Sequence, residues 1–153
     1  MRGREQRLSF RSEAETARFG ETLAGLLQPG DVVLLAGDIG AGKSFLARAI
    51  IRALCGAETD VPSPTFTLVQ TYDCDAGEVW HSDLYRLSDA DEALELGLID
   101  AFETAINLVE WPDHLGPYLP EDALRIDMAS TPEAHKARLI PGGTWAERLE
   151  DAL

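Results

Sequence analysis

One stretch limits what this chain can fold into more than any other: Gly37 to Ser44 read G-D-I-G-A-G-K-S. The pattern G-x-x-x-x-G-K-[ST] is met by Gly37, Gly42, Lys43 and Ser44, with a further glycine at Gly40. A loop of this kind wraps a phosphate with its backbone N–H groups, and the helix that follows turns the positive end of its dipole to the same anion. Lys43 is placed to bridge β- and γ-phosphates, and the Ser44 hydroxyl to ligate Mg²⁺. The alternative is a glycine-rich turn that binds nothing, and the flanking segments argue against it. Asp31 to Ala36 (D-V-V-L-L-A) is a short apolar run of the type buried on both faces of a parallel sheet. Lys43 to Leu54 reads as the helix after the loop, stopped near Gly56.

The remaining pattern extends this strand-loop-helix unit. Ser12 with Glu15 three residues on is a capping box, and Phe19, Leu23, Leu26 and Leu27 continue at helical spacing to Gln28, before Pro29-Gly30. Val61 to Pro64 (V-P-S-P) predicts a fixed, extended loop, because each proline restrains itself and its predecessor. Thr65 to Tyr72 and Glu78 to Asp83 read as two strands joined around Asp73 to Gly77, a hairpin-like insertion. Ser88 to Leu96 and Ile99 to Ala105 read as helices, and Ile106 to Val109 as another buried strand ending in Glu110-Trp111-Pro112. Leu124 to Met128 and Ala137 to Ile140 predict later strands, and Thr144 with Glu147 caps a terminal helix. Repeats and linkers are missing. The expectation is a single α/β domain over residues 1–153, of the P-loop NTPase type, with a mostly parallel sheet, an antiparallel hairpin portion and flanking helices.

Charge bears on partners. The net charge is −14, and from Val61 to Asp127 there are 15 Asp and Glu against Arg86 and Arg125. Nucleic acid therefore lacks an electrostatic footprint on the chain as a whole, and any contact with RNA is expected to be indirect. The acidic stretch is a solvated face or a partner surface. Cys55 and Cys74 lack the spacing of a zinc site or redox pair and predict two free thiols in a reducing compartment. With neither a signal-peptide core nor a run of about 20 apolar residues, no membrane association and a cytoplasmic location are expected.

A P-loop needs an acid at the end of a neighbouring strand, to hold Mg²⁺ or order the attacking water. Asp83, ending V-W-H-S-D, and Glu110, ending I-N-L-V-E, both qualify, and either could instead be an exposed carboxylate capping a turn. His81 shares a strand face with Asp83 but has no third ligand near it in sequence, which favours a supporting histidine over a metal ligand. Ser63-Pro64-Thr65-Phe66 reads equally as a sensor loop, with Thr65 reaching a γ-phosphate, and as a rigid turn. Trp111 reads as a packing residue. An Asn-Lys-x-Asp guanine motif is excluded, since the one asparagine is Asn107, followed by Leu108; this favours ATP.

G-D-I-G-A-G-K-S, S-P-T-F-T-L-V, H-S-D-L-Y-R-L and L-V-E-W-P occur in the order and approximate spacing of the TsaE family, also called YjeE, and the chain resembles that family from about Ser12 to Arg138. The resemblance implies a small bacterial ATPase required for threonylcarbamoyladenosine modification of tRNA at position 37, working with the TsaB and TsaD proteins downstream of TsaC. It places ATP phosphates on Ile39, Gly40, Ala41, Gly42, Lys43 and Ser44, and Mg²⁺ on Ser44 and Glu110. It makes Asp83 important for hydrolysis, gives Thr65 to a switch-like loop, and puts nucleotide contacts near Glu13 and Thr16, with a further one at Arg138. Ser44 stands where threonine is commoner and keeps the hydroxyl. Two other readings remain: a small-molecule kinase, disfavoured by having only Arg86 and Arg125 between Val61 and Asp127, and a nucleotide-dependent scaffold whose hydrolysis is incidental.

Overall fold

The computed structural model describes residues 5–65 and 67–152. Its centre is set by two strands, β2 (Val32–Ala36) and β5 (Ile106–Glu110), in which every residue is buried. Side chains on both faces of these strands need cover, so they lie inside the sheet with helices on either side. Seven strands form one sheet in the order β1-β7-β6-β2-β5-β4-β3. β6 (Leu124–Ser130), β2, β5 and β4 (Gly77–Asp83) run parallel. The expected α/β architecture is found, and the antiparallel part reaches both edges. β3 (Val69–Cys74) pairs with β4 on one side; β7 (His135–Pro141) and β1 (Gln6–Phe10) complete the other.

One face is covered by α1 (Glu13–Ala24), α2 (Lys43–Cys55) and α5 (Trp145–Ala152), whose Phe19, Leu23, Leu46, Ile50 and Trp145 join Val33, Leu35 and Ile126 in a single apolar cluster. The Ser12 hydroxyl accepts from the Glu15 N–H at 3.2 Å and starts α1. α1 and α2 cross closely, because a Cβ on Gly20 would lie 2.9 Å from Ala49 Cβ. The other face is covered by α3 (Asp91–Glu95), α4 (Leu98–Thr104) and a 3₁₀ segment, Pro112–Tyr118, which bury Leu34, Leu84, Leu98, Phe102, Val109 and Leu115. α5 is tied to the start of β2 by Arg148, whose guanidinium reaches both Asp31 oxygens at 3.0 and 2.7 Å.

The structure departs from the expectations in several places. β1 and the 3₁₀ segment were not expected. Thr65, Thr67 and Leu68 lie outside β3, which starts at Val69: the Leu68 N–H bonds to the Pro64 carbonyl at 2.7 Å and Leu68 takes φ 68°. Cys55 and Cys74 are not free thiols. The end of α2 packs beside the end of β3, bringing their Cα atoms to 4.7 Å, and the two sulfurs are bonded. This pairing removes the cysteines as an argument for a reducing compartment.

Closing a loop of 19 residues restricts the unfolded chain, and such a cross-link stabilises by about 3 kcal/mol. Cys74→Ser, or reduction of the wild type, is expected to lower the denaturation midpoint by that equivalent in urea melts, with the reduced wild type and the variant behaving alike.

Candidate phosphate and metal-binding site

The loop after β2 has its shape because of where its glycines fall. A Cβ on Gly37 would collide with the Met128 carbonyl of β6, so only glycine lets the chain leave β2 at that point. Gly40 and Gly42 take φ 87° and 104°, values that side chains resist. Ala41 N–H closes the turn on the Asp38 carbonyl at 3.1 Å, and α2 starts at Lys43 with Gly42 as its N-cap. The N-terminus of a 13-residue helix thus faces the loop. Ile39 stands at the tip, 79% exposed. From behind, the β6–β7 hairpin supports the loop: His135 Nδ1 lies 3.1 Å from the Ala41 carbonyl oxygen.

Strand register decides which acids meet this loop. Parallel pairing sets Glu110 opposite Leu35 on one side and Asp83 on the other, so both carboxylates stand at the strand ends beside Gly37. Glu110 is 2% exposed. Its Oε1 accepts from the Ser44 hydroxyl at 3.0 Å, and its Oε2 lies 2.7 Å from His81 Nε2. Asp83 accepts from the Thr65 hydroxyl at 3.1 Å and from the Tyr85 N–H at 3.0 Å. Both acids that the sequence nominated are therefore buried at the site. Glu110 is the one in contact with Ser44; Asp83 is the one joined to the Thr65 loop. Phe66 lies outside the described residues. His81 supports Glu110 in the manner the sequence favoured.

Lys43 is buried, with its ammonium on the Gly37 carbonyl and 3.6 Å above the Trp111 ring. Trp111 packs, as expected, but what it packs on is the loop lysine. It takes φ 57°, unusual for a bulky residue, and its ring sits 4.9 Å from that of Tyr85. Sequence reasoning missed His135 and the contact between Trp111 and Lys43; the position of Trp111 directly after Glu110 was a local signal for the second, and the first, 94 residues from its partner, had none.

The candidates further off divide. Phe10, just before α1, pairs with His135, which brings Glu13 and the first turn of α1 to the loop's end of the sheet, although Glu13 does not line the cavity. The Thr16 hydroxyl is directed to its own helix, onto the Ser12 carbonyl, and the residue is buried. Arg138 is paired with Asp127 at 2.9 Å and approaches Glu5 at 3.9 Å.

A cavity of about 400 Å³ remains between Gly40, Lys43, Ser44, Thr65, Asp83 and Glu110. Its donors fit a phosphate chain with a hard cation: an amine and a helix N-terminus for the anion, and hydroxyl and carboxylate oxygens for Mg²⁺. Burial holds the Lys43 ammonium below its ordinary value of 10.5, against the opposing pull of Glu110, Asp83 and Asp38. A lysine depressed in this way binds fewer protons in the folded than in the unfolded chain, so the ligand-free fold gains stability as the pH rises towards 10.5. A bound phosphate prefers the charged amine and opposes that shift. Affinity for inorganic triphosphate, a probe for the phosphate fit, is accordingly expected to fall as the pH climbs through the same window, with a flatter fall in Lys43→Arg, measured by calorimetric titration.

The chain is similar to several known proteins. Residues 10–139 match the family model described as "Threonylcarbamoyl adenosine biosynthesis protein TsaE". The tRNA threonylcarbamoyladenosine biosynthesis protein TsaE of Rickettsia bellii is 41% identical over 117 residues, covering 76% of this chain and 81% of that one. The protein of the same name from Haemophilus influenzae is 35% identical over 134 residues, 84% of each chain. Among solved structures, YdiB from Bacillus subtilis superposes with a TM-score of 0.78 at 26% identity, covering 99% of this chain and 94% of that one.

Proposed function

The chain belongs to the TsaE family of threonylcarbamoyladenosine biosynthesis proteins, and we propose that it is the component that binds and hydrolyses ATP for this modification of tRNA at position 37. The observation that carries the proposal is the contact between Ser44 and Glu110 at the foot of the loop, with Asp83 beside it. In this reading residues 1–153 act as one domain in the cytoplasm. TsaB and TsaD are the direct partners, tRNA is met only through them, and no membrane is involved.

Ile39 to Ser44 bind the phosphates through backbone N–H groups. Lys43 leaves the Gly37 carbonyl to meet the β- and γ-oxygens. Ser44 and Glu110 would hold Mg²⁺, which supplies charge neutralisation of the phosphates when bound. In that role Glu110 would exchange its bond from the Ser44 hydroxyl, with His81 as its support. Asp83 orients the attacking water, and Thr65, bonded to Asp83, reports the state of the γ-position to its loop. Glu13, on the first turn of α1, approaches the nucleotide from the loop's end of the sheet.

Arg86 is the one arginine lining the cavity among the described residues. Phosphoryl transfer builds charge that arginines commonly stabilise, often from a partner. Turnover of the isolated protein is therefore expected to be weak and to rise when TsaB and TsaD are added. Lys43→Ala and Glu110→Ala are each expected to lower the stimulated rate by about 10² or more. A stimulated rate that survives both substitutions would remove the assigned site. Depletion of the protein in its source bacterium is expected to lower threonylcarbamoyladenosine in digested tRNA; an unchanged level would refute the assignment to this pathway and leave the nucleotide site standing.

A further inference from the structure

We propose that His135, at the start of β7, is a positioning residue that holds the Ala41–Gly42 peptide in the orientation that aims the Gly42 N–H at a bound phosphate. The inference rests on the phosphate reading of the loop given above and assigns a duty to the β6–β7 hairpin, which stands outside the four motifs that carry the family resemblance.

His135 is fixed on both sides. It pairs with Phe10 of β1 and with Ser130 of β6, so its backbone cannot drift without breaking two ladders. From there its imidazole reaches the loop, with Nδ1 at 3.1 Å from the Ala41 oxygen. A carbonyl oxygen only accepts, so Nδ1 carries the hydrogen. The ring also backs Gly42: a Cβ at that position would lie 3.4 Å from Nδ1 and 3.4 Å from Met128 Cε.

The consequence follows from peptide geometry. In a trans peptide the C=O and the next N–H point in opposite directions. With the Ala41 carbonyl drawn back to His135, the Gly42 N–H is turned away from the hairpin, towards the cavity that Gly42, Lys43 and Ser44 line. Glycine at position 42 makes this peptide easy to rotate, since glycine tolerates positive and negative φ alike. Covalent structure therefore does not choose the orientation, and the hydrogen bond from His135 does. A phosphate arriving at a loop already turned this way does not have to order it.

Three forms test this: the wild type, His135→Phe, which fills the space without a donor, and His135→Asn, whose amide N–H can replace Nδ1–H. Amide hydrogen exchange of residues 38–44 is followed in the ligand-free proteins, and ATP and ADP affinities are measured by calorimetry. His135→Phe is expected to exchange about tenfold faster across the loop, with β2 and β5 unchanged, and to bind ATP about fivefold to tenfold more weakly, the scale of one lost hydrogen bond. His135→Asn is expected to recover most of both. The proposal is overturned if His135→Phe matches the wild type in exchange and affinity, or if His135→Asn is no better than His135→Phe while both fold. A wild type that binds neither nucleotide would refute the phosphate reading and, with it, the purpose given to the Gly42 N–H; loop exchange would still show whether His135 holds the peptide.

Discussion

A carboxylate taken out of water must have its oxygens bonded, and the site is organised around how Glu110 meets that requirement. It stands at the end of a fully buried strand, 2% exposed, with one oxygen on Ser44 and the other on His81. The first bond ties β5 to the start of α2, and the second ties β5 to β4. Three elements are held at one point by a single side chain. Under the proposed function, the Ser44 bond is the one that would give way to a cation, and the His81 bond the one that would remain.

Asp83 and Lys43 add charge to the same small volume. Asp83 is satisfied from the Thr65 loop and the Tyr85 backbone, so its surroundings are joined to a segment whose placement depends on the bond from Leu68 to Pro64. Lys43 rests on the Gly37 carbonyl, a strong but uncharged acceptor, and on the Trp111 ring. The loop's own ends are set by neighbours on the far side, Met128 against Gly37 and His135 against Ala41. The β6–β7 hairpin thus belongs to the architecture of the site, although none of its residues is among those that line the cavity.

Local pattern made much of this legible. The β2, loop and α2 unit could be read because its signals sit within about 25 consecutive residues: an apolar run, glycines at fixed offsets and a helical periodicity. Glu110 and Asp83 could be nominated because each ends a strand recognisable from its own residues. β1 was missed because Gln6–Phe10 becomes a strand by pairing with β7, about 130 residues away. Thr65 and Leu68 looked like strand from composition, and the bond from the Leu68 N–H to the Pro64 carbonyl keeps Leu68 out of the ladder, which begins at Val69. Cys55 and Cys74 looked unpaired because spacing along the chain says nothing about two element ends that meet in space.

The sequence by itself determined that a glycine loop of the P-loop pattern lies between a buried strand and a helix, that a hydroxyl follows its lysine, and that two acids end apolar strands. These follow from short-range rules, in which each residue's neighbours along the chain supply the constraint. Only the tertiary structure decided which acid meets Ser44, what His81 and Trp111 touch, and that a histidine from the last hairpin backs the loop. Those outcomes depend on strand order and register, which align residues 66 and 94 positions apart to within a hydrogen bond, and on burial, which obliges each polar group to find its partner across the sheet.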